Sequence, residues 1–192
     1  ASLLSFEVDA PLAGLPAATT AQTYSALLRR YASLPGATHA VLAENSLLSG
    51  NFWPMTVDVA GYQAREGENL NPQVNSVSEG FFSSLGMPLL AGREFSPSDT
   101  AAAPRVAVVN EHFARYFFKD QSPIGRRFGL PRRPRDITIV GVVRDGLATS
   151  LREEPTRRVY FPFRQSPDLG GVTFYVRTAS DPLPFIGTLR KE

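Results

Sequence analysis

The chain contains 192 residues, of which 43% are hydrophobic and 20% are charged, a composition typical of a folded domain and not of a disordered chain. Its apolar runs fall far short of the roughly 20 residues needed to cross a bilayer, and its first residues do not resemble a signal sequence. The absence of cysteine excludes disulfides, thiolate nucleophiles and cysteine-ligated metals. We therefore expect a soluble piece.

The net charge of +2 is unevenly distributed. Residues 126–164 contain ten arginines and four acidic residues, whereas residues 1–125 are net acidic. A basic segment can bind nucleic acid or anionic lipid. These arginines alternate with turn and strand residues and not with aromatic stacking platforms, so nucleic acid is not an expected partner. The arginine bias of a GC-rich genome is the simpler explanation.

The start of the chain has the pattern of a β-α-β unit. Residues 3–9 alternate between apolar and polar side chains, which predicts a half-buried strand. A helix follows, with Thr19 or Thr20 as its expected N-cap, and Pro35-Gly36 ends it. Residues 39–44 predict the second strand.

The rest of the chain mixes strands and helices irregularly, which favours an α+β fold. Ser78 is the expected N-cap of a helix over 79–85 that ends at Gly86, and Asn110 that of a helix over 111–118. Asp181 is expected to begin a last helix. Strands are predicted over 73–77, 105–109, 126–130, 137–143, 159–163 and 172–176.

A search for catalytic patterns finds no nucleophile elbow, phosphate loop or dinucleotide fingerprint. His39 and His112 are the only histidines, and their separation gives no His-x-x-x-His metal pair. The adjacent carboxylates of 153–154 point apart, and Asp145 belongs to an Arg-Asp-Gly turn. We therefore predict no catalytic, cofactor-binding or metal-binding residue.

The best candidate for a binding surface is the sequence Phe52-Trp53-Pro54. Aromatic side chains next to glycine and proline in loops often anchor partner proteins. Phe52 and Trp53 are therefore predicted as a partner contact. Packing at the edge of the core is an equally good interpretation of the same residues.

A family resemblance emerges from motifs that cover nearly the whole chain in order. They are VNSVSEGFF at 74–82, LGMPLLAGREF at 85–95, PRVAVVNE at 104–111, SPIGRR at 122–127, IVGVVRD at 139–145, LREEP at 151–155 and VYFP at 159–162. Each is ordinary turn or strand chemistry alone. With this spacing the chain resembles the MacB-type periplasmic core domain, the extracytoplasmic insert of FtsX-like ABC transporter permeases.

The resemblance implies a fold of two parts. A Porter-like part of β-α-β units would comprise 1–70 and 157–192, and an inserted α/β Sabre-like part 71–156. The domain would sit on the periplasmic side of the inner membrane between two transmembrane helices of its own chain. It would couple membrane motion to the periplasm and dock an adaptor, a lipoprotein or cargo, with an ATPase subunit acting through the membrane. The family has no catalytic residues in this domain.

Two rival functions remain open at this stage. A ligand-binding or sensory module would capture a lipid or a small hydrophobic molecule in an apolar pocket between the two parts. A hydrolase would need a perturbed His112 or paired carboxylates in a cleft.

Overall fold

The structure, a computed structural model, describes residues 2–47, 53–132, 134–145, 156–166 and 168–179. The predicted helix at Asp181 and the carboxylates of 153–154 lie outside these ranges. The strands are β1 Ser2–Val8, β2 Ala37–Ala43, β3 Trp53–Pro54, β4 Asp58–Val59, β5 Gln73–Val77, β6 Leu89–Gly92, β7 Val106–Asn110, β8 Arg127–Gly129, β9 Ile137–Val143, β10 Arg158–Pro162 and β11 Val172–Thr178. The helices are α1 Ala17–Ala32, α2 Phe81–Ser84, α3 Glu111–Phe118 and a short 3-10 helix, Phe163–Gln165.

The fold is α+β, as predicted, and its described strands join into one sheet. The order is β1-β11-β2-β5-β10-β7-β9-β8-β4, with β3 paired to β5 and β6 to β9. No helix in the described ranges is long and apolar enough to cross a membrane.

The first and last described strands are direct neighbours. β1 and β11 are antiparallel over their full lengths, and Ser2 lies opposite Thr178. β2 pairs with the other side of β11 and begins at Ala37, also opposite Thr178. We call this edge, where Ser2, Thr178 and Ala37 meet, the terminal end of the sheet. The predicted β-α-β start is present, with β11 inserted between its two strands.

β2 and β3 follow one line along β5. Ala43 lies opposite Val77, and Trp53 lies opposite Val74, both in antiparallel register. The chain leaves the sheet between these two pairings. β2 spans seven residues and Trp53 lies three residues further along β5, so at about 3.3 Å per residue Trp53 is roughly 30 Å from the terminal end.

Three clusters of buried side chains pack on this sheet. The α1 cluster joins helix α1 to β11, and the α3 cluster joins helix α3 to β7, β8 and β9. The central cluster contains Val41 and Ala43 of β2 and Tyr175 of β11 together with Phe82 and Val108 from the middle of the chain. Packing as well as hydrogen bonds therefore connects β2 and β11 to the middle of the sheet.

Helix boundaries depend on side-chain contacts that only partly follow the expected caps. Asn110 caps α3, since its Oδ1 accepts from the Phe113 N–H at 3.1 Å, as predicted. The prediction for Ser78 is wrong: its Oγ accepts from the Leu42 N–H of β2, and α2 begins after Gly80. The prediction for Thr19 and Thr20 is also wrong, because α1 starts at Ala17 and their hydroxyls donate to the Pro16 carbonyl.

Two glycines allow β6 and the chain after it to approach β9 closely. A Cβ on Gly92 would lie 2.1 Å from the Val140 carbonyl oxygen, and one on Gly141 would lie 2.3 Å from that of Arg93. Real Cβ contacts of this length do not occur, so any side chain here would force the strands apart. Gly92, in the motif at 85–95, is thus required by close packing against β9.

Candidate functional site

Trp53, from the predicted partner contact, is exposed. Its side chain has 69% of its surface accessible, the largest exposed aromatic among the described residues. Phe52 lies outside the described residues. Pairing of Trp53 with Val74 of β5 fixes the tryptophan backbone in the sheet, so the indole projects from an ordered position. The exposure leaves Trp53 accessible; that it contacts a partner stays a prediction.

A polar clamp holds the chain where it leaves β2 toward Trp53. The Asn45 N–H donates to Asn75 Oδ1, and Asn75 Nδ2 donates back to the Asn45 carbonyl, both at 2.9 Å. The Glu44 N–H donates to the Ser76 carbonyl at 2.8 Å, and the Leu47 N–H to the Tyr175 hydroxyl at 2.9 Å. The Asn75 side chain thus satisfies both backbone groups of Asn45 where the strand pairing is interrupted.

A loop with two exposed leucines follows β1. Leu12 is 86% exposed and Leu15 is 40% exposed. Tyr24 of α1 fixes the loop from below, since its hydroxyl accepts from the Ala10 N–H and donates to the Gly170 carbonyl at 2.7 Å. Burial raises the pKa of Tyr24. Val8 pairs with Val172, so this loop, like Trp53, lies away from the terminal end.

A carboxylate shared by two tyrosines joins the loop after β4 to helix α3. Glu68 Oε1 accepts from the Tyr62 hydroxyl at 2.5 Å and from the Tyr116 hydroxyl, while its Oε2 accepts from the Arg65 N–H at 2.8 Å. The Tyr116 and Tyr62 hydrogen bonds lower the pKa of Glu68 to about 2, because they favour the charged form. The bond to Glu68 raises the pKa of Tyr62. The Arg157 guanidinium stacks 4.1 Å from the centre of the Tyr116 ring.

The two histidines lie in different elements. His39 is exposed on β2 near the terminal end, and His112 is partly buried in the first turn of α3. The backbone N–H of His112 donates to Asp145 Oδ1 at 3.0 Å. Within the described ranges no three potential metal ligands come together.

Asp145 is a residue whose role sequence reasoning missed. It was interpreted as a turn residue, but its carboxylate lies at the N-terminus of α3, where it also accepts from Asn110 Nδ2 at 2.7 Å. A carboxylate there balances the positive end of the helix dipole. The sequence signal for this role is an Asn at the end of β7 and an Asp shortly after the end of β9. Because β7 and β9 are parallel and end side by side, with Asn110 opposite Val143, the two side chains meet there.

The profile of the MacB-like periplasmic core domain matches residues 14–183. The chain belongs to this family. The resemblance noted in the sequence is therefore confirmed: the chain is a MacB-like periplasmic core domain.

A curated relative is the uncharacterized ABC transporter permease YknZ of Bacillus subtilis strain 168. It is 25% identical over 120 residues, which is 59% of this chain and 29% of that protein. The chain thus spans less than a third of this relative's length.

Solved structures share the fold of this MacB-like domain. The periplasmic region of MacB from Actinobacillus actinomycetemcomitans has a TM-score of 0.61 at 14% identity, covering 87% of this chain and 71% of that one. The extracellular domain of the noncanonic ABC-type transporter YknZ from Gram-positive bacteria has a TM-score of 0.59 at 19% identity. This match covers 96% of this chain and 87% of that one. A domain of a putative permease protein from Porphyromonas gingivalis has a TM-score of 0.57 at 16% identity, covering 83% of this chain and 70% of that one.

Proposed function

We propose that this MacB-like domain transmits movement of its permease's transmembrane helices to the extracytoplasmic side, as a mechanical coupler without catalysis. The observation that carries the proposal is the pairing of Ser2 with Thr178. This pairing puts the start of β1 beside the end of β11, which suits a domain inserted between two membrane helices. A displacement of those helices would act on one end of a single sheet.

The packing of the sheet supports rigid transmission. The central cluster fills the middle of the molecule with fully buried side chains such as Phe82, Val108 and Phe81. Close-packed interiors transmit strain and do not deform continuously. A module that captured an apolar ligand between two parts would instead need a cavity at this position. The filled core therefore favours the coupler over the ligand-capture alternative.

We retain the two-part division as a proposal. The Porter-like part would comprise 1–70 and 157–192, and the Sabre-like part 71–156. Val57 and Val59 pack in the α3 cluster with Phe113 of the Sabre-like part. The segment around β3 and β4 would thus be one packed link between the parts, beside the pairing of β10 with β5 and β7.

We propose that the surface around Trp53 docks the partner of the coupler. An indole with 69% of its surface exposed, mounted on a paired strand roughly 30 Å from the terminal end, suits a contact far from the membrane. Aromatic anchors contribute strongly at protein interfaces. The expected partners are an adaptor or lipoprotein on the extracytoplasmic side, the transmembrane helices of the same permease, and an ATPase subunit across an inner membrane.

Cysteine labelling tests the side of the membrane. The chain contains no cysteine, so Leu12→Cys in the full-length permease, with any other cysteines removed, provides one exposed thiol. We expect a membrane-impermeant maleimide to label it in intact spheroplasts. Ala43→Cys, at a position with no exposed surface, is the matched control and should stay unlabelled until the protein is denatured. Labelling of Leu12→Cys only after membrane permeabilisation would refute the proposed location.

Photocrosslinking tests the docking surface. A benzoylphenylalanine at Trp53 of the full-length permease in its own cells should yield a discrete adduct, because the side chain points outward. The same residue at Leu90, which is 42% exposed on the separate strand β6, is the control. Adducts of equal yield and size from both positions would contradict a docking role for Trp53.

A further inference from the structure

A groove of about 450 Å³ opens between the loop after β4 and the C-terminal end of α3. Tyr62 and Arg65 from the loop line it together with Tyr116, Lys119 and Gln121 from the end of α3 and the residues after it. Arg126 also lines the groove. This volume is within the range of small-molecule sites in proteins, roughly 300–1,000 Å³.

The groove carries an excess of positive charge. Arg65, Lys119 and Arg126 line it, and no aspartate or glutamate does so in the described part of the chain. Arg126 Nη2 donates to Gln121 Oε1 at 3.1 Å, a neutral acceptor that orients the guanidinium without cancelling its charge. The charged Glu68 carboxylate lies beside the groove, where it accepts from two tyrosine hydroxyls and the Arg65 N–H, and it offsets part of this positive charge.

Lys119 occupies a backbone conformation that favours glycine. Its φ is 53° and its ψ is −116°, where a residue with a side chain costs about 1–3 kcal/mol. The described chain places glycine at eight positive-φ positions, and the exceptions are Lys119 and Arg132. Lys119 therefore holds its ammonium group at the cationic groove from a constrained backbone position, whereas Arg132 does not line the groove.

The aromatic walls of the groove are fixed in place. The Tyr62 and Tyr116 rings are 6.0 Å apart and tilted by 32°, and Glu68 holds both hydroxyls. A ligand would meet preformed rings, the Gln121 amide and three cations. A phosphate monoester, with up to two negative charges and three terminal oxygens, matches three cations better than a single carboxylate does.

We propose that this groove binds a small polar ligand through a phosphate group held by Arg65, Lys119 and Arg126. The ligand body lies against the tyrosine walls. The site is separate from the Trp53 surface and does not depend on the coupling role proposed above.

Titration of the 192-residue chain tests this site. With sn-glycerol 3-phosphate as the probe, we expect amide shift changes in the NMR spectrum that saturate and cluster at the groove residues. Neutral glycerol should cause none. Dihexanoyl phosphatidic acid, a lipid phosphate monoester used as monomers, distinguishes a lipid source of the phosphate: tighter binding than glycerol 3-phosphate supports a lipid headgroup, and weaker binding supports a soluble phosphate ester.

Two matched variants decide whether the groove is responsible. Lys119→Gly removes a groove cation at a positive φ, and Arg132→Gly removes a cation at the other positive-φ position, away from the groove. Loss of one charge-assisted hydrogen bond should weaken binding of glycerol 3-phosphate by about tenfold or more. Arg132→Gly should leave the dissociation constant unchanged. Equal effects of the two variants, equal binding of glycerol, or no saturable shifts would overturn the proposal.

Discussion

Replacing Asn110 by aspartate tests how the end of β7 is built. By cap preference alone the change is neutral, because asparagine and aspartate are equally good N-caps. The structure predicts otherwise. Asn110 is only 2% exposed, and its side chain makes four hydrogen bonds. Oδ1 accepts from the Phe113 and Arg158 N–H groups, and Nδ2 donates to Asp145 Oδ1 and to the Thr156 carbonyl.

An aspartate keeps the two acceptor bonds and loses both donor bonds. Each buried acceptor left without its donor costs about 1–3 kcal/mol, and the lower figure applies here because Asp145 is partly exposed. The new carboxylate also faces Asp145, and like charges about 4 Å apart repel by about 4 kcal/mol at an effective dielectric constant of 20. Allowing for relaxation toward solvent, we expect Asn110→Asp to lower the free energy of unfolding by about 3–4 kcal/mol.

Urea unfolding at pH 7, followed by circular dichroism, measures this change. Asn110→Asp combined with Asp145→Asn is the matched rescue, because the amide is moved to the partner and the charge repulsion is removed. We expect the double variant to regain more than half of the loss. A single variant within 0.5 kcal/mol of the parent chain, or a double variant no better than the single one, would refute this account of the network.

The remaining predictions concern the sheet, the core and the shared carboxylate. Gly141→Ala should destabilise the chain by about 1–3 kcal/mol, because the new Cβ would meet the Arg93 carbonyl oxygen. Gly170→Ala is the control, because Gly170 has open space around it, and it should not destabilise the chain. Equal unfolding midpoints of the two variants would contradict the close approach at Gly141. Phe82→Ala should cost about 3–5 kcal/mol in the same assay, since it empties the central cluster; a cost below 1 kcal/mol would contradict tight packing there. Trp53→Ala should change stability by less than about 0.5 kcal/mol, because the indole is exposed, and a larger loss would indicate a structural role. The Glu68 carboxyl should titrate at about pH 2 by NMR. Because its pKa is lower in the folded chain than in the unfolded chain, its contribution to stability is complete above the unfolded-state pKa and is lost as the pH falls toward 2. Titration near pH 4.3 would contradict the shared hydrogen bonds.

Strands were the most predictable elements of this MacB-like domain. β5 and β9 were expected over 73–77 and 137–143, the ranges that the structure has, because their patterns are strongly apolar or alternating. The segment from Met55 to Val59 also alternates, but only Asp58–Val59 pairs as a strand. Between β3 and β4 the chain changes from pairing with β5 to pairing with β8. The local sequence pattern contains no information about this change of partner strand.

Caps and polar networks were less predictable, because they depend on what folding brings alongside. Ser78 has a good cap sequence, yet its hydroxyl satisfies the Leu42 N–H, 36 residues away. Asp145 and Asn110 meet only because two parallel strands end together. The exposed Trp53 was indicated by its glycine and proline neighbours. The cationic groove was not, since Arg65, Lys119 and Arg126 are dispersed in sequence and meet through the loop after β4.

The coupling role is tested most directly by distances between spin labels in the full-length permease. Labels at Ala26 on α1, which packs on β11, and at Glu66 in the loop after β4, both exposed, report on opposite sides of the strand order. We predict the same distance between them with and without ATP, while the depth of both labels relative to the membrane surface changes with the nucleotide. A nucleotide-dependent distance between Ala26 and Glu66, or no displacement of either label relative to the membrane, would contradict a rigid coupler.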